Sequence, residues 1–302
     1  MIARPRNRVD LHTHTARSDG VLEPAELYAQ MRTWGADLVA VTDHDTLAGA
    51  RELIAAGLDG DDRGGPRLIV GVEINTAIDA EVEAVGGTEE RLGELHILGL
   101  GVNPDDTAFE AVLAQQRAGR AQRLEQTLER LRESGLNVDG HLPHVAGGID
   151  ALGRPHVARA LVSAGHAEDV QDAFARYLVP GTPAYVRRKG IGPRAAIEAI
   201  SMAGGIASLA HSAWAPDEPE VMDLLMAWGL RGLEVHYHHW EDERFVAMGR
   251  FADARGLLPT GGSDYLGDTG SYAEAQGHVF VPPEVGERLL EALAMRSSRR
   301  AR

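Results

Sequence analysis

The chain has 302 residues, 44% hydrophobic and 25% charged, which suits one large α/β domain or a domain carrying an insertion. Lys+Arg 30 against Asp+Glu 45 give a formal net charge of −15, which disfavours general attraction to duplex DNA or an anionic membrane. The absence of cysteine excludes a disulfide framework and a thiolate zinc site. No apolar run approaches the ~20 residues of a membrane span and no secretory h-region precedes Arg8, so a cytoplasmic protein with no membrane or obligate protein partner is expected.

Apolar runs of strand length occur at Val9–His12, Leu38–Thr42, Leu68–Ile74 and Leu95–Leu100. Helical stretches fall between them at Glu23–Trp34, with Pro24 at its start and Gly35 after its end, and at Thr46–Ala56. The alternation predicts βα units in a parallel sheet or barrel. From Asp105 to Ser134 the chain is proline-free and rich in Arg, Gln, Glu, Leu and Ala, which predicts one or two amphipathic helices. Further helices are predicted at Pro155–Ala164 and Glu168–Tyr177. Alternation then resumes with helix Pro193–Ala203, strand Ile206–Ala210, helix Glu218–Trp228, strand Gly232–Val235, helix Glu241–Arg255 and strand Leu257–Thr260. A last strand at His278–Val281 precedes a helix near Glu284–Met295. The division that follows is an α/β barrel from 1–104 and 189–296, a helical insertion at 105–188 and a frayed basic tail at 297–302.

Titratable residues gather at the strand ends. Residues two apart on a strand share a face, so His12 and His14 present two imidazoles side by side, followed by Asp19. The second strand runs into Asp43, His44 and Asp45, the third carries Glu73, and the fourth region places His96 within an apolar run. His211 and Asp264 follow two later strands. Any one of these is equally readable as a satisfied core residue. Together they put metal-ligand types at six strand ends, where (β/α) barrels build active sites. A carboxylate such as Glu73 can bridge two divalent ions about 4 Å apart, with a shared hydroxide as nucleophile.

The motifs Asp10-Leu11-His12-Thr13-His14, Ser18-Asp19-Gly20, Thr42-Asp43-His44-Asp45, Gly71-Val72-Glu73, His96-Ile97-Leu98-Gly99, Ala210-His211 and Gly262-Ser263-Asp264 resemble, in order and spacing, the PHP (polymerase and histidinol phosphatase) family. Within the insertion, Gly153–Arg159 and Ala184-Tyr185-Val186 resemble the branch with RNase AM and the 3',5'-nucleoside bisphosphate phosphatases. The resemblance implies a distorted (β/α)7 TIM-like barrel with two or three divalent metal ions, manganese first, with zinc, iron or magnesium as alternatives. It implies His12, His14, Glu73 and Asp264 around one ion, Glu73, His96 and His211 around a second, and Asp19 and His44 at a third. The third site's remaining ligand is usually a histidine two residues after the aspartate, where this chain has Leu266. Leucine cannot ligate a metal, so either that site is weak or empty, or another histidine such as His278, or water, completes it.

Arg154 and His156 match the branch's motif and are candidates for phosphate binding, with Lys189, the only lysine, or Arg188 where the chain re-enters the barrel. Arg117, Arg120 and Arg123 form either an added arginine edge or a solvated helix face. His44 and Asp45 are the candidates for protonating the leaving alcohol. His236, His238 and His239 suit a substrate-side role or a solvated loop; His141, His144 and His166 suit the surface. With 5% aromatic residues no base-stacking platform is evident. The expected activity is hydrolysis of a small phosphorylated nucleotide, a 3',5'-bisphosphate or the 5' end of a short RNA. The alternatives are a phosphatase for another small metabolite, such as a cyclic phosphate or a histidinol-phosphate-like ester, and a degenerate metal- or nucleotide-binding protein.

Overall fold

Seven short β-runs, each almost wholly buried, pair in sequence order into one sheet in the computed structural model, which describes residues 7–60, 64–143, 148, 152–237, 241–268 and 270–300. In chain order the elements are β1 (Val9–Asp10), α1 (Pro24–Trp34), β2 (Leu38–Val41), α2 (Ala48–Ala55), β3 (Arg67–Thr76), α3 (Ala80–Ala84), α4 (Glu89–Leu92) and β4 (Leu95–Leu100). Then come α5 (Thr107–Glu133), α6 (Arg154–Ser163), α7 (Val170–Ala173) with a π-helical turn at Phe174–Leu178, and α8 (Pro193–Met202). The chain ends with β5 (Ile206–Leu209), α9 (Pro219–Ala227), β6 (Gly232–Tyr237), α10 (Asp242–Arg255), β7 (Leu258–Gly262), α11 (Tyr272–Gln276) and α12 (Pro283–Arg300).

The sheet rolls up on itself. The Leu11 amide donates to the Gly261 carbonyl (3.0 Å) and the Asp264 amide to the His12 carbonyl (2.8 Å), joining the segment after β1 to β7. Pairing is parallel everywhere except around β4, which runs antiparallel to both β3 and β5. That reversal is the distortion of the barrel, and it has a consequence for the site. His96, second residue of β4, lies opposite Asn75 near the end of β3. The start of β4 therefore sits at the mouth where its neighbours end.

α5 is a single helix of 27 residues, about 40 Å long, with Asp106 capping it through the Phe109 amide at 2.9 Å. Its buried stripe changes character along its length. Phe109 and Leu113 pack into the barrel core, while Leu124, Leu128 and Leu131 join a separate core with Val157, Leu161 and Leu178. Between the two, Gln116, Arg120 and Arg123 occupy the same buried face. The segment between β4 and β5 thus has its own apolar core and adds no strand to the sheet.

Three expectations need correction. His278–Val281 is not a strand: Val281 donates its amide to the Asn7 side chain (3.0 Å) and pairs with no β-element. The predicted frayed tail instead continues α12 through Arg300, because no proline or glycine interrupts the run after Gly286. The helix expected over Glu168–Tyr177 gives way at Phe174 to the π turn. No described helix is long and apolar enough to cross a membrane.

Candidate metal centre and its arginine chamber

Glu73 is the centre of the site. Its buried carboxylate reaches five imidazoles from four separate segments. Oε2 lies 3.2 Å from His12 Nε2, His14 Nε2 and His44 Nδ1. Oε1 lies 2.7 Å from His96 Nδ1 and 3.0 Å from His211 Nε2. Asp264 Oδ1 stands 3.1 Å from His14 Nε2 and 3.5 Å from His12 Nε2. Asp19 faces His14 Nδ1 at 3.4 Å and His44 Nε2 at 3.3 Å. Every residue expected at the metals is thus in one cluster; all but Asp19 fall into the triads His12–His14–Asp264, His14–His44–Glu73 and Glu73–His96–His211, and Asp19 borders the second through His14 and His44. No triad of described residues includes His278.

The chemistry of this donor set fits divalent cations. Nitrogen and oxygen ligands held about 2.1 Å from one ion lie roughly 3.0–3.4 Å from each other, and most of the contacts here fall in that range, with His96–Glu73 tighter at 2.7 Å and His12–Asp264 at 3.5 Å. His14 Nε2 and His44 Nδ1 are buried without hydrogen-bonding geometry to any partner, although each is 3.2 Å from Glu73. Their ring nitrogens converge with carboxylate oxygens instead of donating to them. The electrostatics agree. Burial favours neutral rings, yet Asp19, Asp264 and Glu73 drive His14 up to about 10. Glu73 and Glu94 likewise overcome burial to bring His96 to about 9. Despite burial, His44, His12 and His96 hold Glu73 well below the usual carboxylate range, and His12 and His14 do the same for Asp264. A mouth that retains protons so strongly is one that accepts cations in their place.

Buried acids outside the triads hold these ligands in place. Glu234 accepts from His12 Nδ1 at the ring edge (3.0 Å), the second bond that fixes a ligating imidazole, and from the His211 backbone amide (2.7 Å). Asp10 gathers the Ser263 amide (2.9 Å) and hydroxyl (2.7 Å) and the Tyr272 hydroxyl (2.9 Å). Asp43 takes the Thr15 amide and hydroxyl (both 2.7 Å) and the Ser18 hydroxyl (2.8 Å). The Tyr237 hydroxyl donates to Asp264 at 2.9 Å. Among the described residues, the non-glycine positive-φ positions are Asp45 (55°), His211 (27°) and Asp264 (50°), all at the mouth. Such backbone costs on the order of 1–3 kcal/mol each and persists only because these networks pin it.

Beside the cluster is a recessed, partly open cavity of about 90 Å³ that reaches Asp19, His44 and His96 and is walled by Arg120, Arg123, Arg154 and Arg188. Two carboxylates hold these four arginines. Asp45 binds Arg120 (2.9 Å) and Arg188 (3.1 Å); Glu94 binds Arg123 (2.6 Å) and Arg154 (2.9 Å). Four guanidinium charges face the two carboxylates that hold them and Asp19 at the cavity's edge, which leaves a surplus of one positive charge. Arg120 Nε and Arg123 Nη2 are buried there without a hydrogen-bond partner.

The substrate-side expectations fare unevenly. Arg154 lines the cavity, and Arg120 and Arg123 do too, so they are not a solvated face. Arg117 instead reaches the Asp45 carbonyl (2.9 Å) and Glu110 (2.7 Å). Lys189 is exposed and outside the cavity lining, where Arg188 stands instead. His156 is buried and accepts the Gly153 amide (3.1 Å) at the start of α6, and burial lowers it to about 4; it lies outside the cavity lining. Asp45 is unsuited to proton donation: despite burial, Arg188 and Arg120 lower its pKa, so it stays an anion that anchors arginines. His236 is buried against Phe245 (ring centroids 5.0 Å), and His141 is exposed. His166 is half-buried and its carbonyl accepts from Arg176 (3.0 Å). His144, His238 and His239 lie outside the described residues.

The PHP domain profile matches residues 10–179. The chain is 31% identical over 273 residues to the 3',5'-nucleoside bisphosphate phosphatase of Chromobacterium violaceum, covering 85% of this chain and 86% of that one. It is 32% identical to a 5'-3' exoribonuclease of Haemophilus influenzae (85% and 89% covered) and 30% identical to the phosphoribosyl 1,2-cyclic phosphate 1,2-diphosphodiesterase of Eggerthella lenta (86% and 95%). Among solved structures, a Chromobacterium violaceum amidohydrolase with bound sulfate and no metal superposes with a TM-score of 0.80 at 29% identity, covering 95% of this chain and 96% of that one. With the PHP motif residues converging on one cluster and relatives matching over most of its length, the chain belongs to the PHP domain family.

Proposed function

We propose that this chain is a metal-dependent phosphoesterase that hydrolyses a small phosphorylated nucleotide, either a 3',5'-nucleoside bisphosphate or the phosphorylated 5' end of a short oligonucleotide. The observation that carries the reading is the adjacency of two complementary compartments. A carboxylate–imidazole cluster centred on Glu73 adjoins a cavity whose four guanidinium groups outnumber the carboxylates around it. A cavity of about 90 Å³ has room for several waters or one phosphoryl group, and its charge suits a phosphate dianion.

His12, His14, Glu73 and Asp264 would hold one cation, Glu73, His96 and His211 a second, and Asp19 with His44 a weaker third. Manganese is the first choice. Bound divalent ions would supply charge neutralisation at phosphorus and an activated water. The protein does the rest. Glu234 and Asp10 keep the ligand-bearing segments aligned, and Asp45 and Glu94 aim four guanidinium groups at the phosphate. His44, at the edge of the cavity, is the candidate for returning a proton to the leaving alcohol. The segment 105–188 acts as a cap on the barrel formed by 1–104 and 189–296, closing the arginine side of the mouth.

The Eggerthella relative supports a cyclic phosphate as the second substrate class for the same cluster. Manganese-loaded protein incubated with adenosine 3',5'-bisphosphate, a 5'-phosphorylated RNA trimer and a ribose cyclic phosphate tests all three. Metal-dependent release of inorganic phosphate or of mononucleotides is expected. No turnover of any of them by protein carrying two or more ions refutes the reading.

A further inference from the structure

An open groove of about 700 Å³ runs between the insertion and the barrel on the Asp264 side of the cluster. Its barrel wall extends from Ser263 and Asp264 to Asp268, and Val170 and Gln171 of α7 face it from the insertion. The arginine cavity, at about 90 Å³, is well below the several hundred Å³ that a nucleotide-sized ligand fills. The nucleoside of a substrate whose phosphate sits at the cluster must therefore lie in the groove. A strand that outgrows the groove has to continue outward through the gap between the insertion and the loop after β7.

One ion pair spans that gap. Arg159, on α6 two residues after the cavity-lining Val157, pairs with Asp268, 109 residues away in sequence. Both side chains are about one quarter exposed, at 26% and 25%. We propose that the Arg159–Asp268 pair is a latch that determines substrate length: closed, it confines the site to a single phosphorylated nucleotide, and opened, it admits a longer strand. The inference rests on the phosphoesterase reading for its substrate and on the ion pair alone for its mechanics.

The test compares Asp268→Asn and Arg159→Gln with the unaltered holoenzyme, on adenosine 3',5'-bisphosphate and on a 5'-phosphorylated RNA trimer. A half-buried pair of this kind controls roughly a fivefold population change. Both variants are expected to raise the trimer-to-bisphosphate ratio of kcat/KM about fivefold, and Arg159→Gln, whose side chain is not part of the groove wall, should keep bisphosphate turnover within twofold of the parent. The two substitutions change local charge in opposite senses. If field effects on a polyanion were responsible, the variants would shift the ratio in opposite directions, and that outcome overturns the latch, as does an unchanged ratio. Hydrogen exchange supplies a readout independent of turnover: amides of α6 should exchange faster in both variants, and unchanged protection also overturns the proposal. Failure of all three proteins on both substrates, with α6 loosened as expected, would remove the phosphoesterase reading and with it the selection of substrate length, leaving only the pair's mechanical hold on α6.

Discussion

Replacing Glu73 by glutamine changes one charge and almost no volume, and it strikes the point where the imidazoles meet. Two of the three triads include Glu73, so the substitution leaves only His12–His14–Asp264 intact. A carboxylate about 4 Å from a divalent ion contributes roughly 8 kcal/mol of Coulomb attraction at an effective dielectric of 20, before desolvation is subtracted. Retaining even a quarter of that, about 2 kcal/mol, weakens each dependent site ~30-fold. Metal content after gel filtration should fall to one ion per chain or fewer. Partners that merely orient metal ligands are worth about 10–100-fold in affinity or activity, so the loss of a shared ligand should lower turnover at least about 100-fold. Plasma emission spectrometry and phosphate release give the two numbers, and circular dichroism checks that the barrel is intact. Full metal content in the Glu73→Gln protein would refute the reasoning, because the cluster would then be an ionic network that merely resembles a binding site.

Other outcomes follow from the same geometry. Asp45→Asn strands Arg120 and Arg188, both buried, and breaking such a pair costs about 3–5 kcal/mol; calorimetry should show a Tm drop on the order of 10 °C, and a drop of a degree or two would deny Asp45 its anchoring role. Burial lowers His236 to about 4, so the fold holds it neutral. Its contribution is complete above the unfolded value near 6.5 and is lost as pH falls towards 4, amounting to about 3 kcal/mol at most. His236→Leu should therefore flatten the acid limb of the stability profile in chemical denaturation, and an unchanged limb would count against it. Chelated protein should show the opposite sense: His14 and His96, raised to about 10 and 9, contribute stability below pH 6.5 that disappears as pH climbs through 9–10, and a chelated protein with flat stability there would contradict the cluster's charge state. Leu266→His should raise metal content if the third position lacks only that ligand; no added metal would mean that the surrounding backbone no longer supports the site.

The metal cluster was legible because its residue types are improbable where they occur. Imidazoles and carboxylates ending buried strands are costly unless something compensates them, and that holds without knowledge of pairing. His96 was harder, since a histidine early in a strand belongs at the wrong end of a parallel barrel. Only the antiparallel run of β4 brings it to the mouth, and strand direction is not written in the local pattern. Glu234 was overlooked for a related reason. It lies inside Gly232–Tyr237, and a lone carboxylate in an apolar strand is a signal that its spacing to other motifs does not amplify.

The arginines show why a helix face cannot be read from one stretch at a time. Arg117, Arg120 and Arg123 look solvated when taken alone, three apart on an Arg-rich helix. Followed along the whole of α5, the stripe defined by Phe109, Leu113, Leu124, Leu128 and Leu131 passes through positions 116, 120 and 123. A buried stripe that turns polar for two turns and then apolar again marks a helix crossing from one core to another over a polar gap. Lys189 drew notice as the only lysine, yet the residue before it enters the cavity. The chain there runs as an irregular strap, where alternation between exposed Arg187, buried Arg188 and exposed Lys189 decides which cation turns inward. Composition pointed to Lys189; the side that faces Asp45 belongs to its neighbour. The guanidinium is also the better group for that place, because it serves the Asp45 carboxylate and the Asn75 carbonyl (2.9 Å) at once, a fixed fork that a single ammonium on a flexible stem does not reproduce.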